Sequence, residues 1–487
     1  MLAPRPTASF LVAGAILLSS AQLSAQGKAA KIDALVKSYV DQGRFNGSVL
    51  VADHGKVIYR KGFGWANAEW RVPNTPDTKF RIGSITKQFT SMLILQLAEE
   101  GKLRLDGTIG EYLPDYPEGP GRAITIQQLL THTSGLHNYT AIPRFFRELS
   151  RDPYQATDFL PIFDSLPLDF EPGSQWRYSN SGYFVLGVII ERVGGKPYDL
   201  ALRQRILDPL GLKDTGYDWN APVIGRRAEG YTRGFDGDEH AAYLDMSTPF
   251  SAGGLYSTVE DLYRWDQALA ARKLLSPASY ARYLAPQVTV GPGRQYGYGW
   301  VFTRFERGPG RDSALVIRHD GGINGFSSVN FMIPEDGIAI IWLDNTNQDP
   351  QLQEGIARLL YGLPASPPPA SIARTIYPLI LNQGAESATK RYHELRGQSP
   401  DRYDFSEPEL NLLGYHLLKL GRAADAVQIL KLNAGAYPAS SNVYDSLGEA
   451  LLVVGDTAQA VANYRRSLEL DASNQNAVQV LQRLGSR

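Results

Sequence analysis

The stretch that most constrains this chain is Ser84-Ile85-Thr86-Lys87, at the head of an apolar run that continues to Glu100. Phe89, Leu93 and Leu97 recur at i, i+4 and i+8, one face of a helix, and Gly101 follows as a stop. Serine and lysine three residues apart share a helical face, with Cβ atoms ~5–6 Å apart. An amine is thereby set beside a hydroxyl. Serine is a poor nucleophile until a neighbouring base takes its proton, and lysine is such a base when desolvation or a nearby cation lowers its pKa. Free N–H groups at a helix start suit a developing oxyanion. The same spacing recurs at Ser387-Ala388-Thr389-Lys390, in a polar helical stretch where a solvated face is expected. The pattern alone therefore assigns no chemistry.

At 487 residues the chain is long enough for two or three domains. Its net charge of −1 gives no footing to nucleic acid or an acidic membrane surface. It has no cysteine, which excludes disulfides, a thiolate zinc site and a cysteine nucleophile. Arg5, the apolar segment Phe10 to Leu18 and the small residue closing Leu23-Ser24-Ala25 read as a signal peptide over residues 1–25, cleaved near Ala25. The apolar segment is shorter than the ~20 residues that span a bilayer. The expectation is an exported protein, periplasmic or secreted, with no stable membrane anchor.

Lys31 to Asp41 reads as a helix. Gly47–Asp53 and Lys56–Gly62 read as strands joined by a two-residue turn, His54-Gly55. Strand character returns at Tyr296–Phe302, Leu315–His319, Ser328–Ile333 and Ile338–Leu343, so one antiparallel sheet opens and closes this region. Between them, Tyr178-Ser179-Asn180 precedes an apolar helix from Phe184 to Val193. A tyrosine near a lysine can exist partly as phenolate and shuttle a proton. An asparagine amide offers a donor and an acceptor to an ester or amide, and Asn180 or Ser181 would also cap the helix. Ser257 with Glu260 reads as a capping box. His132 and His137 lack a nearby carboxylate to complete a ligand set and read as loop structure; no metal or cofactor is implied.

Ser-x-x-Lys, then Tyr-x-Asn, then His319-Asp320-Gly321-Gly322 closing a strand: in that order the motifs resemble the serine β-lactamase and penicillin-binding protein superfamily. More narrowly they resemble its class C β-lactamase-like branch, which includes D-alanyl-D-alanine carboxypeptidases, D-amino-acid peptidases and esterases. The resemblance covers roughly residues 30 to 360, with flanking phrases at Thr131–Leu136, Gly253–Thr258 and Tyr296–Trp300. It implies a mixed α/β (α+β) fold: an antiparallel sheet flanked by helices, plus an all-helical part, over residues 26–362. It implies that Ser84 is the acylated nucleophile and that Lys87 and Tyr178 transfer its proton. Asn180, His319, Gly321 and Gly322 would hold substrate, with backbone N–H groups of Ser84 and Gly322 as the oxyanion hole. The third motif of a β-lactamase usually opens with lysine, a fixed cation. Here it opens with His319, which makes efficient β-lactam hydrolysis a weaker expectation than ester or D-amino-acid peptide hydrolysis. The alternatives are a β-lactamase, or a penicillin-binding sensor that only recognises cell-wall fragments.

Leu363-Pro-Ala-Ser-Pro-Pro-Pro-Ala-Ser371 reads as an extended linker. Beyond it, over 372–487, only helical patterns occur. Leu413-Gly414 returns as Leu447-Gly448, Gly421 as Gly455 and Ala426 as Ala460, a period of 34. That spacing resembles tetratricopeptide repeats, with Ile372–Leu381 and Ala385–Leu395 as an earlier, degenerate pair. Such a module implies either a groove for a protein partner or a helical appendage, beside a small-molecule or peptide substrate for the first domain.

Overall fold

A computed structural model describes residues Gln26–Gly485; the signal-peptide reading lies outside them. The chain divides into two units. One takes in residues up to Arg233 together with Asp238–Ser366; the other takes in Pro367–Arg487 together with Gly234–Gly237. The boundary thus falls inside the proline-rich stretch, whose last residues Ala370-Ser371 pair in parallel with Tyr403-Asp404.

Among the described residues, the first unit holds an eight-stranded sheet. Its strands are β1 (Gly47–Asp53), β2 (Lys56–Gly62), β3 (Val288–Gly291), β4 (Arg294–Tyr296), β5 (Val301–Glu306), β6 (Ser313–Ile323), β7 (Phe326–Ile333) and β8 (Ile338–Asp344). Their order is β3-β4-β5-β6-β7-β8-β1-β2, every pair antiparallel. The N-terminal hairpin joins the sheet through β1 on β8, Leu50 opposite Ile341. His54 and Gly55, both at positive φ, make the tight β1–β2 turn expected of a two-residue hairpin.

Alternation along β1 and β8 shows why the sheet is covered on both faces. Val49, Val51, Ile340 and Trp342 point into a core shared with helix 26–41 (α1) and with Leu352–Leu360 (α5). Leu50, Ala52, Ile341 and Leu343 point the other way, into the larger core. That core contains Thr86–Glu99 (α2), Asn180–Gly194 (α3) and Val259–Ala270 (α4). Every residue of α2 from Thr86 to Leu97 is buried, so the helix is enclosed all round rather than along one face. The cap of α4 is Thr258, whose hydroxyl accepts from the Asp261 N–H, one residue beyond the expected Ser257–Glu260 box.

The second unit is helical: Ile372–Gln398 (α6), Glu407–Lys419 (α7), Ala423–Ala436 (α8), Ser441–Val453 (α9), Thr457–Leu470 (α10) and Gln475–Arg483 (α11). Gly384 interrupts α6 with non-helical φ and ψ, which separates the two segments expected there. The hairpin α7–α8 returns as α9–α10 with the same period of 34 at every helix start. A Cβ on Gly414 would lie 2.6 Å from the Leu430 side chain, and one on Gly448 would lie 3.0 Å from Tyr464. The repeated glycine is therefore the point where the second helix of each hairpin crosses the first. Ser387 turns its hydroxyl back to the Gln383 carbonyl and Lys390 is exposed, a solvated face as expected.

Candidate active site

Ser84 lies in a single 3-10 turn, Gly83–Ile85, that runs directly into α2. Gly83 takes φ +48°, a left-handed turn that aims Ser84 outward. Two close approaches hold this turn against β6. A Cβ on Gly321 would fall 2.1 Å from the Ile82 carbonyl oxygen, and one on Gly83 would fall 2.9 Å from the Gly322 nitrogen. The Ser328 hydroxyl, on β7, donates to the same Ile82 carbonyl. β5 covers β6 only as far as Arg318, paired with Val301, whereas β7 pairs on to Ile323. Residues 319–323 therefore offer one strand edge to the serine turn.

One helical turn on, Lys87 is fully buried. Its Nζ is 3.0 Å from Ser84 Oγ, 2.9 Å from Asn180 Oδ1 and 2.7 Å from the Ala252 carbonyl oxygen. It also lies 4.8 Å from the centre of the Tyr178 ring. Burial pushes this amine well below the usual lysine range. A neutral amine has two N–H groups and one lone pair. The Asn180 amide oxygen and the Ala252 carbonyl can only accept, so they take both N–H groups. The lone pair is left for Ser84, whose O–H then donates to nitrogen. That is the geometry of a general base.

The Tyr178 hydroxyl is buried beside Ser84 without completing a hydrogen bond. Burial raises its pKa, with Ser84 pulling the other way, so the ring is a neutral phenol and not the partial phenolate expected of a tyrosine beside a lysine. Asn180 opens α3; its backbone N–H donates to Asn138 Oδ1 and its amide nitrogen to the Thr140 hydroxyl.

In front of Ser84 opens a cavity of about 350 Å³. Asn180, Ala252, Gly253 and Gly322 line it near the serine, and Tyr139, Thr140, Phe145, Phe146, Leu244 and Ile323 line it further out. Among the described residues, its lining includes no charged side chain. His319 is not in that lining. It is 4% exposed, bonded to the Tyr296 hydroxyl and to the Asp320 carbonyl, and burial next to Lys87 lowers its pKa to about 3. Gly321 likewise touches Ile82 and Ser328 rather than the cavity. Both were expected to hold substrate; of the third motif, Gly322 is the residue that faces it. Phe145 and Phe146 came from a loop without motif character. Ala252 adjoins the Gly253–Thr258 phrase, which was the one signal that could have pointed to it. Among the described residues, no cluster of histidine and carboxylate side chains could hold a metal.

A buried base beside a serine, at the mouth of a cavity edged by a strand backbone, defines a serine hydrolase on an antiparallel sheet flanked by helices. The chain belongs to the Beta-lactamase family, whose sequence model matches residues 32–362. It is similar to "Penicillin-binding protein 4*" of Bacillus subtilis, 29% identical over 70% of this chain and 78% of that protein. It is similar to "Esterase EstB" of Burkholderia gladioli, 31% identical over 66% of this chain and 92% of that one. Among solved structures, a D-stereospecific amidohydrolase from Streptomyces superposes with a TM-score of 0.59 at 27% identity, over 68% of this chain and 97% of that one.

Proposed function

We propose that this protein is an exported hydrolase that acylates Ser84 with neutral esters, or with amides of D-amino acids, and releases the acyl group to water. Lys87 takes the Ser84 proton as Oγ attacks the carbonyl carbon. The backbone N–H groups of Ser84 and Gly322 receive the oxyanion. The Tyr178 phenol gives its proton to the leaving group and takes one back from the Lys87 ammonium, which restores both groups, and Asn180 orients the acyl part. The observation that carries this reading is the pairing of a desolvated amine on Ser84 with a cavity that has aromatic and amide walls and no charge. A β-lactam or a peptide ending in D-alanine brings a carboxylate, and a buried neutral His319 supplies no cation to meet it. The names of the esterase and amidohydrolase relatives agree with this choice. In the helical unit, Leu412 on α7 and Val453 on α9 are 62% and 61% exposed. We propose that the helical unit takes a protein partner.

The test is kcat/KM for p-nitrophenyl butyrate, a D-amino-acid anilide and nitrocefin, with intact-mass detection of the acyl-enzyme. The ester should be turned over faster than nitrocefin at neutral pH. Ser84→Ala should abolish both acylation and turnover, and Ser387→Ala should change neither. Wild-type turnover surviving in Ser84→Ala would end the assignment; nitrocefin hydrolysed as fast as the ester would make the protein a β-lactamase.

A further inference from the structure

Behind Tyr178 lies a row of buried polar groups that the hydrolytic steps leave unused. The Ser179 backbone N–H donates to His132 Nδ1 at 3.2 Å. His132 Nε2 lies 3.1 Å from the Tyr296 hydroxyl, which lies 3.2 Å from His319 Nε2. His319 Nδ1 lies 2.7 Å from the Asp320 carbonyl oxygen. His132, Tyr296 and His319 are 1%, 1% and 4% exposed.

The two ends set the direction of every bond between them. A backbone N–H only donates, so His132 Nδ1 is bare and its proton is on Nε2. A backbone carbonyl only accepts, so His319 carries its proton on Nδ1 and Nε2 is bare. Tyr296 then accepts from His132 and donates to His319. With both rings neutral, one arrangement of protons satisfies all four bonds. A second proton on His132 would face the Ser179 N–H. A second proton on His319 would force the Tyr296 hydroxyl to turn away and accept from both rings, which breaks its donation to His319. Burial opposes charging of both rings as well.

The backbone adds an independent sign. His132 holds φ +59°, a left-handed conformation uncommon for a non-glycine residue. In it the His132 ring lies 4.3 Å from the Tyr178 ring, centre to centre, while Nδ1 holds the backbone of Ser179. At the far end, His319 grips its neighbour's carbonyl two residues before Gly322.

We propose that His132, Tyr296 and His319 are positioning residues, a one-way hydrogen-bonded relay that joins the Tyr178 loop to the Gly322 strand edge and keeps both imidazoles neutral beside Lys87. The proposal rests on the reading of Ser84 and Lys87 as the reacting pair. The Lys87 amine lies near both rings, and Arg294 and Arg318 face His319 with the Asp320 carboxyl. The phenols of Tyr178 and Tyr183 pack on His132.

The experiment uses the full chain labelled with 15N-histidine, followed by long-range 1H–15N spectra from pH 5 to 8.5, with kcat/KM for p-nitrophenyl butyrate over the same range. His132→Asn and His319→Gln assign the two signals among the seven histidines. His132 should appear as the Nε2–H form and His319 as the Nδ1–H form, neither titrating. Tyr296→Phe removes the acceptor for His132 and the donor to His319, so the Nε2 signals of both rings should move while burial still keeps them from titrating. kcat/KM should fall about tenfold in that variant with the shape of its pH profile unchanged, as the loss of one hydrogen bond of ~1.4 kcal/mol gives. An Nε2–H form of His319, titration of either ring in the wild type, or Nε2 signals that do not move in Tyr296→Phe would overturn the relay. Should Tyr296→Phe not fold, the wild-type tautomers decide alone. Ser84→Ala run in parallel separates the two claims: its failure to abolish turnover sinks the Ser84 reading, while the spectra still judge the relay.

Discussion

Replacing Asn180 by aspartate tests the assignment of Lys87 as base without removing an atom from its surroundings. Asn180 Oδ1 is 2.9 Å from Lys87 Nζ, so the substitution sets a carboxylate where an amide oxygen now accepts. At an effective dielectric of 20, unit charges that close attract by about 6 kcal/mol. Asn180 is half-buried, and water on its exposed side together with the cost of desolvating the new carboxylate offsets part of this. Taking half leaves about 3 kcal/mol, or roughly two pKa units. The sign follows from the charge: an anion stabilises the ammonium form, so Lys87 holds its proton to higher pH and is a base over a narrower range. The acid limb of kcat/KM should move up by about two units, and on that limb Asn180→Asp should be about a hundredfold slower than wild type at any given pH. Activity should recover as pH rises. Asn180→Leu removes the acceptor without adding charge, so it lowers activity without moving the limb upward. Profiles for p-nitrophenyl butyrate from pH 5 to 10 decide the matter. An acid limb in Asn180→Asp that coincides with that of wild type would refute Lys87 as the titrating base.

Two further outcomes follow from buried carboxyls away from the site. Asp266 is buried, accepts from the Asn330 amide at 2.7 Å, and has its pKa raised well above the carboxylate range by burial; its second oxygen and the Asn330 oxygen lack partners unless one proton sits between them. A neutral acid paired with an amide is mimicked by two amides, so Asp266→Asn should be at least as stable as wild type in urea unfolding at pH 8; a loss of about 3 kcal/mol, typical of a broken buried charge pair, would contradict the neutral assignment. Burial raises Asp344 to about 6 even though the Asn46, Thr346 and Gln348 N–H groups donate to it. The folded state then holds this proton more tightly than the unfolded state, so stability from this group is present below pH 3.8 and lost as pH rises to about 6. The loss is about 3 kcal/mol, and the stability gap between wild type and Asp344→Asn should shrink by that amount between those limits; a gap independent of pH would count against it.

Much of the architecture was legible in the chain because it rests on local chemistry. The β1–β2 hairpin follows from two strand-forming runs either side of His54-Gly55, and the 34-residue helical period follows from small residues repeated where helices cross. Ser84 and Lys87 were legible as a pair because three residues make nearly one turn of helix. Other features depended on groups far apart in sequence. Alternation could not tell that α2 is buried on every side, since that depends on α3, on the sheet and on the Phe250–Gly253 turn all closing around it. The charge states were beyond the sequence for the same reason. Lysine and histidine have fixed free pKa values, and only burial, supplied by residues far along the chain, lowers those of Lys87 and His319 below them. So the order of residues alone determined which groups could react and which elements would carry them. Tertiary structure decided which of those groups meet and in what protonation state, because desolvation and hydrogen-bond direction belong to the packed chain and not to any segment of it.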